Sequence, residues 1–201
     1  NTDSIREIRS TMRREEVREH VARIKEKGNI HQHLDLIAGL PYEDIKSFRK
    51  SFDDVYSMRP DQLQLGFLKV LKGSYMQEMQ QEYELRYKDE PPYEVLSTKW
   101  LPYSDVIELK GIEEMVEIYY NSGQFTHVVE ALVENYASAY QMYQDLWQYY
   151  EEHDYMGIQH RRSARYEIVL DFVKEKYPEQ ADVMRELLTY DYYLRENAKS
   201  R

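Results

Sequence analysis

The residues best able to do chemistry lie in one short run, His33-Leu34-Asp35-Leu36-Ile37-Ala38, followed by Gly39-Leu40-Pro41 and then Glu43-Asp44. An apolar run that carries one acid and stops at Gly and Pro has the form of a buried strand entering a loop, and the acids beyond it suit the first turn of a helix. In barrels and open α/β folds, ligands collect at the carboxyl ends of strands, so this loop is where a bound group is expected. Gly39 would let a ligand approach the backbone closely, Ile37 and Leu40 could flank a flat base, and Pro41 would stiffen the turn. A tight strand-to-helix turn chosen for packing alone explains the same residues, and the run itself leaves both readings open.

Other candidates are weaker. Asp35 in an apolar strand is either a barrel-interior site residue or a structural acceptor, since a buried carboxylate needs a partner or a shifted pKa, and the structural reading is preferred. Lys69 and Lys72 follow a second apolar run and could face a carboxylate or phosphate, or line an ordinary solvated loop. His31 and His33 alternate and so share a strand face, half of a metal site, but no third ligand is evident and no metal is expected. Glu151-Glu152-His153-Asp154 reads as a polar helix end. No phosphate loop, nucleophile elbow or paired-carboxylate arrangement stands out.

Composition narrows the chemistry further. With no cysteine, the chain by itself has no disulfide, thiolate metal site, cysteine nucleophile or iron-sulfur cluster, and a reducing, cytoplasmic setting is expected. A net charge of -10 argues against general nucleic-acid binding, and the short pairs Arg13-Arg14 and Arg161-Arg162 do not reverse it. No apolar run approaches the ~20 residues of a membrane span, and the opening from Asn1 to Arg14 is polar, so a soluble protein is expected. The 20 tyrosines imply packed helix seams, a partner surface, or both, because tyrosine suits positions with one apolar side and one wet end.

Periodicity supplies the elements that must position these residues. Ser4 to Glu7 has the capping-box form, and Ile5, Ile8, Met12, Val21 and Ile24 recur at helical spacing up to a stop at Gly28. A second helix opens at Glu43-Asp44, with Ile45, Phe48, Phe52 and Val55 facing inward, and ends at Pro60. Gln62 to Phe67 alternates as a second strand and leads into Lys69 to Ser74. This rhythm is that of βα units on a parallel sheet. Glu90-Pro91-Pro92 breaks it, and Tyr93 to Leu96 forms one last short strand. Beyond lies only helix: a segment capped by Ser104 and ended by Asn121-Ser122-Gly123, then Phe125 to His153 as one long or two broken helices, Arg161 to Tyr177, and Pro178 to Ala198. Tyr136, Tyr140, Tyr143, Trp147 and Tyr150 fall at helical spacing, either as bundle core and rim or as a surface that docks the barrel mouth or a substrate protein. The expected class is α/β followed by all-α, mostly helical, with domains at residues 1–100 and 101–201.

The run His33 to Pro41, with Ser47-Phe48 and Phe52-Asp53, resembles the fifth-strand region of radical S-adenosylmethionine enzymes, and Leu63 to Gly73 resembles their sixth strand. Together with Pro92 to Ser97 and Tyr119 to Gln124, these runs resemble a bacterial subgroup in which a cobalamin-binding domain precedes the radical barrel and a helical domain of unknown function follows it. The resemblance implies the carboxyl-terminal portion of a partial TIM-like barrel, starting after the fourth strand and belonging to a longer protein. It implies a [4Fe-4S] cluster on three cysteines of an early barrel loop, S-adenosylmethionine on its open iron, and reductive cleavage to a 5'-deoxyadenosyl radical. Neither those cysteines nor a cobalamin domain lies in this sequence, so no cofactor is expected on the chain alone, which would be inactive. Ile37, Gly39 and Leu40 fall where the family lines the adenine, Asn1 falls near its ribose region, and Asp35, Pro41, Gly66, Lys69 and Lys72 complete the candidate cofactor-binding set. Where many members have Gly, this sequence has Tyr42. The implied partners are the upstream barrel and cobalamin-type domain of the same chain, with self-association through exposed barrel edges between Ile30 and Leu71. The alternative is a helical module that recruits a substrate or partner, built on a barrel-derived scaffold.

Overall fold

The computed structural model describes residues 1–8 and 14–195. Met12 of the first helical stripe, the Arg13 side of the Arg13-Arg14 pair and a helix end at Ala198 lie outside the described residues. The chain is mostly helical with small sheets, and it divides into two compact units, Asn1–Glu113 and Glu114–Arg201.

The first unit opens with α1 (Thr2–Glu7), capped by Asn1, whose side-chain oxygen accepts from the Asp3 and Ser4 backbone N–H groups. The expected cap, Ser4, sits inside the first turn instead, because Asn1 is already placed to take the free donors. After α2 (Arg14–Lys27), Gly28 adopts φ +67° and ends the helix, as expected of glycine in that position. Strand β1 (His33–Ala38) then pairs in parallel with β2 (Gln62–Phe67), joined through α3 (Ile45–Tyr56). Asp44 does not enter α3 but caps it, accepting from Ser47 N at 2.8 Å.

The register sorts the two strands into two faces. Leu34, Leu36 and Ala38 lie beside Leu63, Leu65 and Phe67, and this side turns inward, as do Phe48 and Phe52 of α3. His33, Asp35 and Ile37 lie beside Gln62, Gln64 and Gly66 on the opposite face, where all three β1 side chains are exposed. The expectation of a wholly buried strand is thus corrected. Side chains alternate with period two, and with two strands in this sheet no second layer covers the outer face among the described residues.

Beyond β2 the pairing turns antiparallel. Val95 N donates to Leu68 O at 2.8 Å, Val70 N donates to Tyr93 O at 2.9 Å, and α4 (Tyr75–Glu78) lies in the excursion between these segments. The last short strand is present as β4 (Val95–Ser97), antiparallel to β3 (Arg86–Tyr87), which is too short to leave a periodic signature. The cis Pro91-Pro92 bond sits between these two strands. Helix α5 (Tyr103–Val116) begins one residue before Ser104 and runs into the second unit.

The second unit continues as a π-helical turn, Glu117–Asn121, closed by Gly123 at φ +64°. Its helices are α6 (Thr126–Val133), α7 (Ala139–Glu152), α8 (Arg162–Lys176) and α9 (Ala181–Arg195), the last preceded by a 3-10 turn at Pro178–Gln180. The segment from Phe125 to His153 is therefore two helices, broken before Ser138, whose hydroxyl accepts from Gln141 N at 3.1 Å. Tyr136 lies in that break, off the α7 ladder, whereas Tyr140, Tyr143 and Tyr150 are core residues with Phe172, Val173, Met184 and Leu188.

Two substitutions probe these assignments. Phe52→Ala, at a fully buried side chain, is expected to lower unfolding free energy by about 3–5 kcal/mol in urea titration. Asp44→Ala, which removes a cap and leaves the core intact, should cost only about 1 kcal/mol.

Candidate functional site

The carboxyl end of β1 turns sharply, with Gly39 at φ +87°. A Cβ at this residue would stand 2.8 Å from Val95 Cγ1 and 3.6 Å from Leu68 Cβ, so on that side the close approach to the backbone is made by β4 rather than left open. Pro41 is buried and Leu40 half-buried. Tyr42 follows in the left-handed region at φ +62°, a conformation that suits glycine and strains a side-chain-bearing residue.

Helix α1 holds this loop in place. Asn1 Nδ2 donates to Tyr42 O at 2.8 Å and to Ser47 Oγ at 2.9 Å, and Ser4 Oγ, itself buried, donates to Pro41 O at 2.6 Å. The Tyr42 ring meets Trp100 at 4.8 Å and Tyr83 at 6.2 Å between centroids, and Tyr83 meets Trp100 at 5.4 Å. At the other end of α1, Glu7 accepts from the Tyr83 hydroxyl and from Tyr75 Oη at 2.6 Å. Burial and the Glu7 hydrogen bond push the Tyr83 phenol well above its ordinary pKa, so it stays protonated as a donor. Asn1, a candidate on resemblance alone, thus lies beside the loop that carries Gly39, Leu40 and Pro41.

Behind the loop Glu43 is 5 % exposed and accepts from Ser51 Oγ at 3.2 Å. Burial raises its pKa above the usual carboxylate value, while the amino-terminal charge at Asn1 and the Ser51 hydrogen bond oppose the shift and neighbouring Asp44 adds to it.

The open face of the strand pair carries the other candidates. Asp35 is exposed beside Gln64, so it is not the buried carboxylate expected of an apolar strand. Ile37 is 46 % exposed and neighbours Gly66, where a Cβ would meet nothing closer than Leu36 O at 3.7 Å. The two lysines stand beyond β2. The Lys69 backbone pairs antiparallel with Glu94, whose carboxylate accepts from Lys110 Nζ at 2.5 Å and lies 3.8 Å from Lys88 Nζ, while Lys72 Nζ stands 5.7 Å from the Tyr93 ring centre. His31 and His33 do face each other, with ring centroids 4.9 Å apart, and among the described residues no group of three or more possible ligands is placed to hold a metal.

In the second unit the structure joins two residues that sequence reasoning missed. Asp191, 2 % exposed, accepts from His127 N and Val128 N, each at 3.0 Å, and pairs with His127 Nδ1 at 2.6 Å. The carboxylate of α9 thereby caps the amino end of α6 and fixes the imidazole through Nδ1. No local pattern links these positions, which stand 63 and 64 residues apart. His153, by contrast, is tied to Tyr149 O at 2.9 Å at the end of α7, a polar helix end as expected.

The first unit is thus a βαβ unit whose loops gather at the carboxyl ends of its strands, and the second is a tyrosine-rich helical domain. Residues 81–201 match the family model described as protein of unknown function, DUF4080, and the chain belongs to that family. The match spans β3, β4 and every helix from α5 to α9. No curated protein matches the chain. Within the described residues no helix is long and apolar enough to cross a membrane.

Asp191→Ala is expected to destabilise the protein by roughly 2–4 kcal/mol, read by thermal or urea unfolding, because two backbone donors and an imidazole lose their common acceptor. For Glu43 the sign follows from its raised pKa. The folded protein takes up this proton at higher pH than the unfolded chain, so the group adds stability as pH falls through its folded pKa and withdraws it as pH rises. Glu43→Gln should flatten that slope above the ordinary carboxylate range and leave neutral-pH stability equal or higher. A variant that keeps the wild-type slope would exclude Glu43 as its source.

Proposed function

We propose that the chain supplies the carboxyl-terminal wall of a radical S-adenosylmethionine barrel, with the helical DUF4080 region appended, and that it acts in the cytoplasm as part of a longer enzyme. One observation carries this reading: β1 and β2 form a parallel β-α-β unit whose second face is left exposed. Parallel strands are ordinarily covered on both faces, so a two-stranded parallel sheet with Asp35, Ile37 and Gln64 in water is most simply understood as a barrel wall whose interior side awaits the other strands.

An iron-sulfur cluster does not fit this chain's own residues, which include no cysteine to ligate one. Cobalamin is assigned to no residue. An adenosine moiety fits better. The half-exposed Ile37 beside Gly66 makes a flat apolar floor, Leu40 borders it at the strand end, and Asn1 reaches the same loop. In this role Gly39 serves indirectly, by letting β4 close behind the loop, and Lys69 and Lys72 stand at the rim for the anionic part of a substrate or cofactor. The chain's share of the work is to seat and orient the nucleoside and to keep water from it.

The test is anaerobic reconstitution, with iron and sulfide, of the longer protein that contains this chain. A brown cluster absorbance and 5'-deoxyadenosine formation on reduction are expected, and an upstream sequence without a Cys-x3-Cys-x2-Cys run would sink the proposal. In that protein Ile37→Asp should lower 5'-deoxyadenosine formation by about tenfold or more, a penalty on the order of 1.4 kcal/mol for placing a carboxylate under the base. The 201-residue chain alone should show no S-adenosylmethionine binding by calorimetry.

A further inference from the structure

Three backbone segments run side by side just beyond β2. The Lys69 backbone pairs antiparallel with Glu94, and on the other side of Glu94 the Lys88 N–H donates to the Glu94 carbonyl at 3.0 Å, one step past the Tyr87–Val95 pair. Residues directly opposite one another in such a ladder project to the same face, so the Lys69 and Lys88 side chains flank the Glu94 carboxylate. Lys88 Nζ stands 3.8 Å from it. A third lysine reaches the same carboxylate from α5. Lys110 Nζ lies 2.5 Å from Glu94 Oε1 and 4.1 Å from the centre of the Phe67 ring, held between an anion and an aromatic face.

The charges around Glu94 do not cancel. Lys69, Lys88 and Lys110 bring three positive charges to one carboxylate, an excess of two (3 − 1) on a chain whose net charge is -10. Asp89 and Glu90 follow Lys88 toward the cis Pro91-Pro92 bond, are exposed, and form no ion pair with these lysines among the described residues. Like charges gathered on one acid repel, and solvent softens this only in part, because the Glu94 side chain is 16 % exposed. A second anion between Lys69 and Lys88 relieves the repulsion. Neighbouring strands lie about 4.8 Å apart, which sets the two flanking backbones about 10 Å from each other, a span that two lysine side chains can close around a small tetrahedral anion.

We infer that Lys69, Lys88 and Lys110 bind a phosphoryl group in its dianionic form. Two negative charges match the excess, whereas a single carboxylate leaves half of it. Ammonium groups also hold phosphate as point charges, without the planar fork that suits arginine to a carboxylate. The site extends the rim role of Lys69, yet it rests on this chain's own charges and stands or falls apart from the radical-enzyme reading.

The test is calorimetric titration of the 201-residue chain with inorganic phosphate and with methyl phosphate, at low ionic strength and a pH where both are dianions. Saturable one-to-one binding with a dissociation constant below about 1 mM is expected, and acetate should bind at least about tenfold more weakly. Binding of both phosphates assigns a phosphorylated ligand, and binding of inorganic phosphate alone assigns the free ion. Lys69→Gln and Lys88→Gln, at exposed residues, should each weaken binding by roughly tenfold with the circular dichroism melt unchanged. Glu94→Gln removes the competing carboxylate and should tighten binding. Lys27→Gln takes the same charge from the end of α2 and should change affinity by less than about twofold. Absence of saturable phosphate binding, equal affinity for acetate, a loss in Lys27→Gln as large as that in Lys88→Gln, or weaker binding by Glu94→Gln would each overturn the assignment. Cluster reconstitution of the longer protein plays no part in any of these outcomes.

Discussion

The parallel register between β1 and β2 is the constraint from which the first unit follows. Because side chains alternate along a strand, one register choice decides every residue's face at once, and a slip by a single position would exchange Leu34, Leu36 and Ala38 for His33, Asp35 and Ile37 in the core. The apolar partners on β2 and the two phenylalanines of α3 hold that choice. With the register set, the strand ends bring the Gly39 loop and the Leu68 segment side by side, and Leu68 N donates to Ala38 O at 2.9 Å. The later strand β4 closes on them through the gap that glycine leaves.

A loop so placed still has to keep its shape, and α1 serves that end at both of its termini. Its cap residue, Asn1, and its buried Ser4 hold carbonyls of the Pro41-Tyr42 stretch, while Glu7 collects two phenols that reach back toward Tyr42 through the Tyr83 ring. A tyrosine in left-handed backbone is unfavourable on its own account, and here the cost is met by two hydrogen bonds to the loop and by aromatic contacts on its side chain. The arrangement explains how this sequence can carry Tyr42 where a glycine would be the easier choice.

Much of the first unit could be read from the residues. The bounds of β1 and β2 were evident because an apolar run stopped by Gly-Leu-Pro, alternation from Gln62 to Phe67 and a phenylalanine stripe in α3 all agree locally. What escaped the reading depends on distance along the chain. The exposure of Asp35 turns on how many strands the sheet has, which no stretch of sequence records. Strand β3 is two residues long, too few for any period to appear. The cap at Asn1 outcompeted a well-formed capping-box pattern at Ser4 because Ser4 is taken up by Pro41. Among the candidate residues, Asn1 and the Gly39 loop come together at one strand end and Ile37 and Gly66 on one face, whereas Lys69 and Lys72 follow beyond β2, with the Lys69 backbone paired to Glu94. In the second unit the helices were legible, and the Asp191 anchor was not, since its carboxylate has no helical neighbour to announce it.

That anchor bears on how the second unit comes into being during synthesis. Helix α6 leaves the ribosome well before α9, and until α9 has emerged the amides of His127 and Val128 have only solvent to satisfy them. The packing of α6 in the described unit therefore waits on α9 rather than being built up turn by turn. A nascent chain stalled after α8 would hold Phe172 and Val173 against an unfinished wall, a natural substrate for chaperones that bind exposed apolar segments.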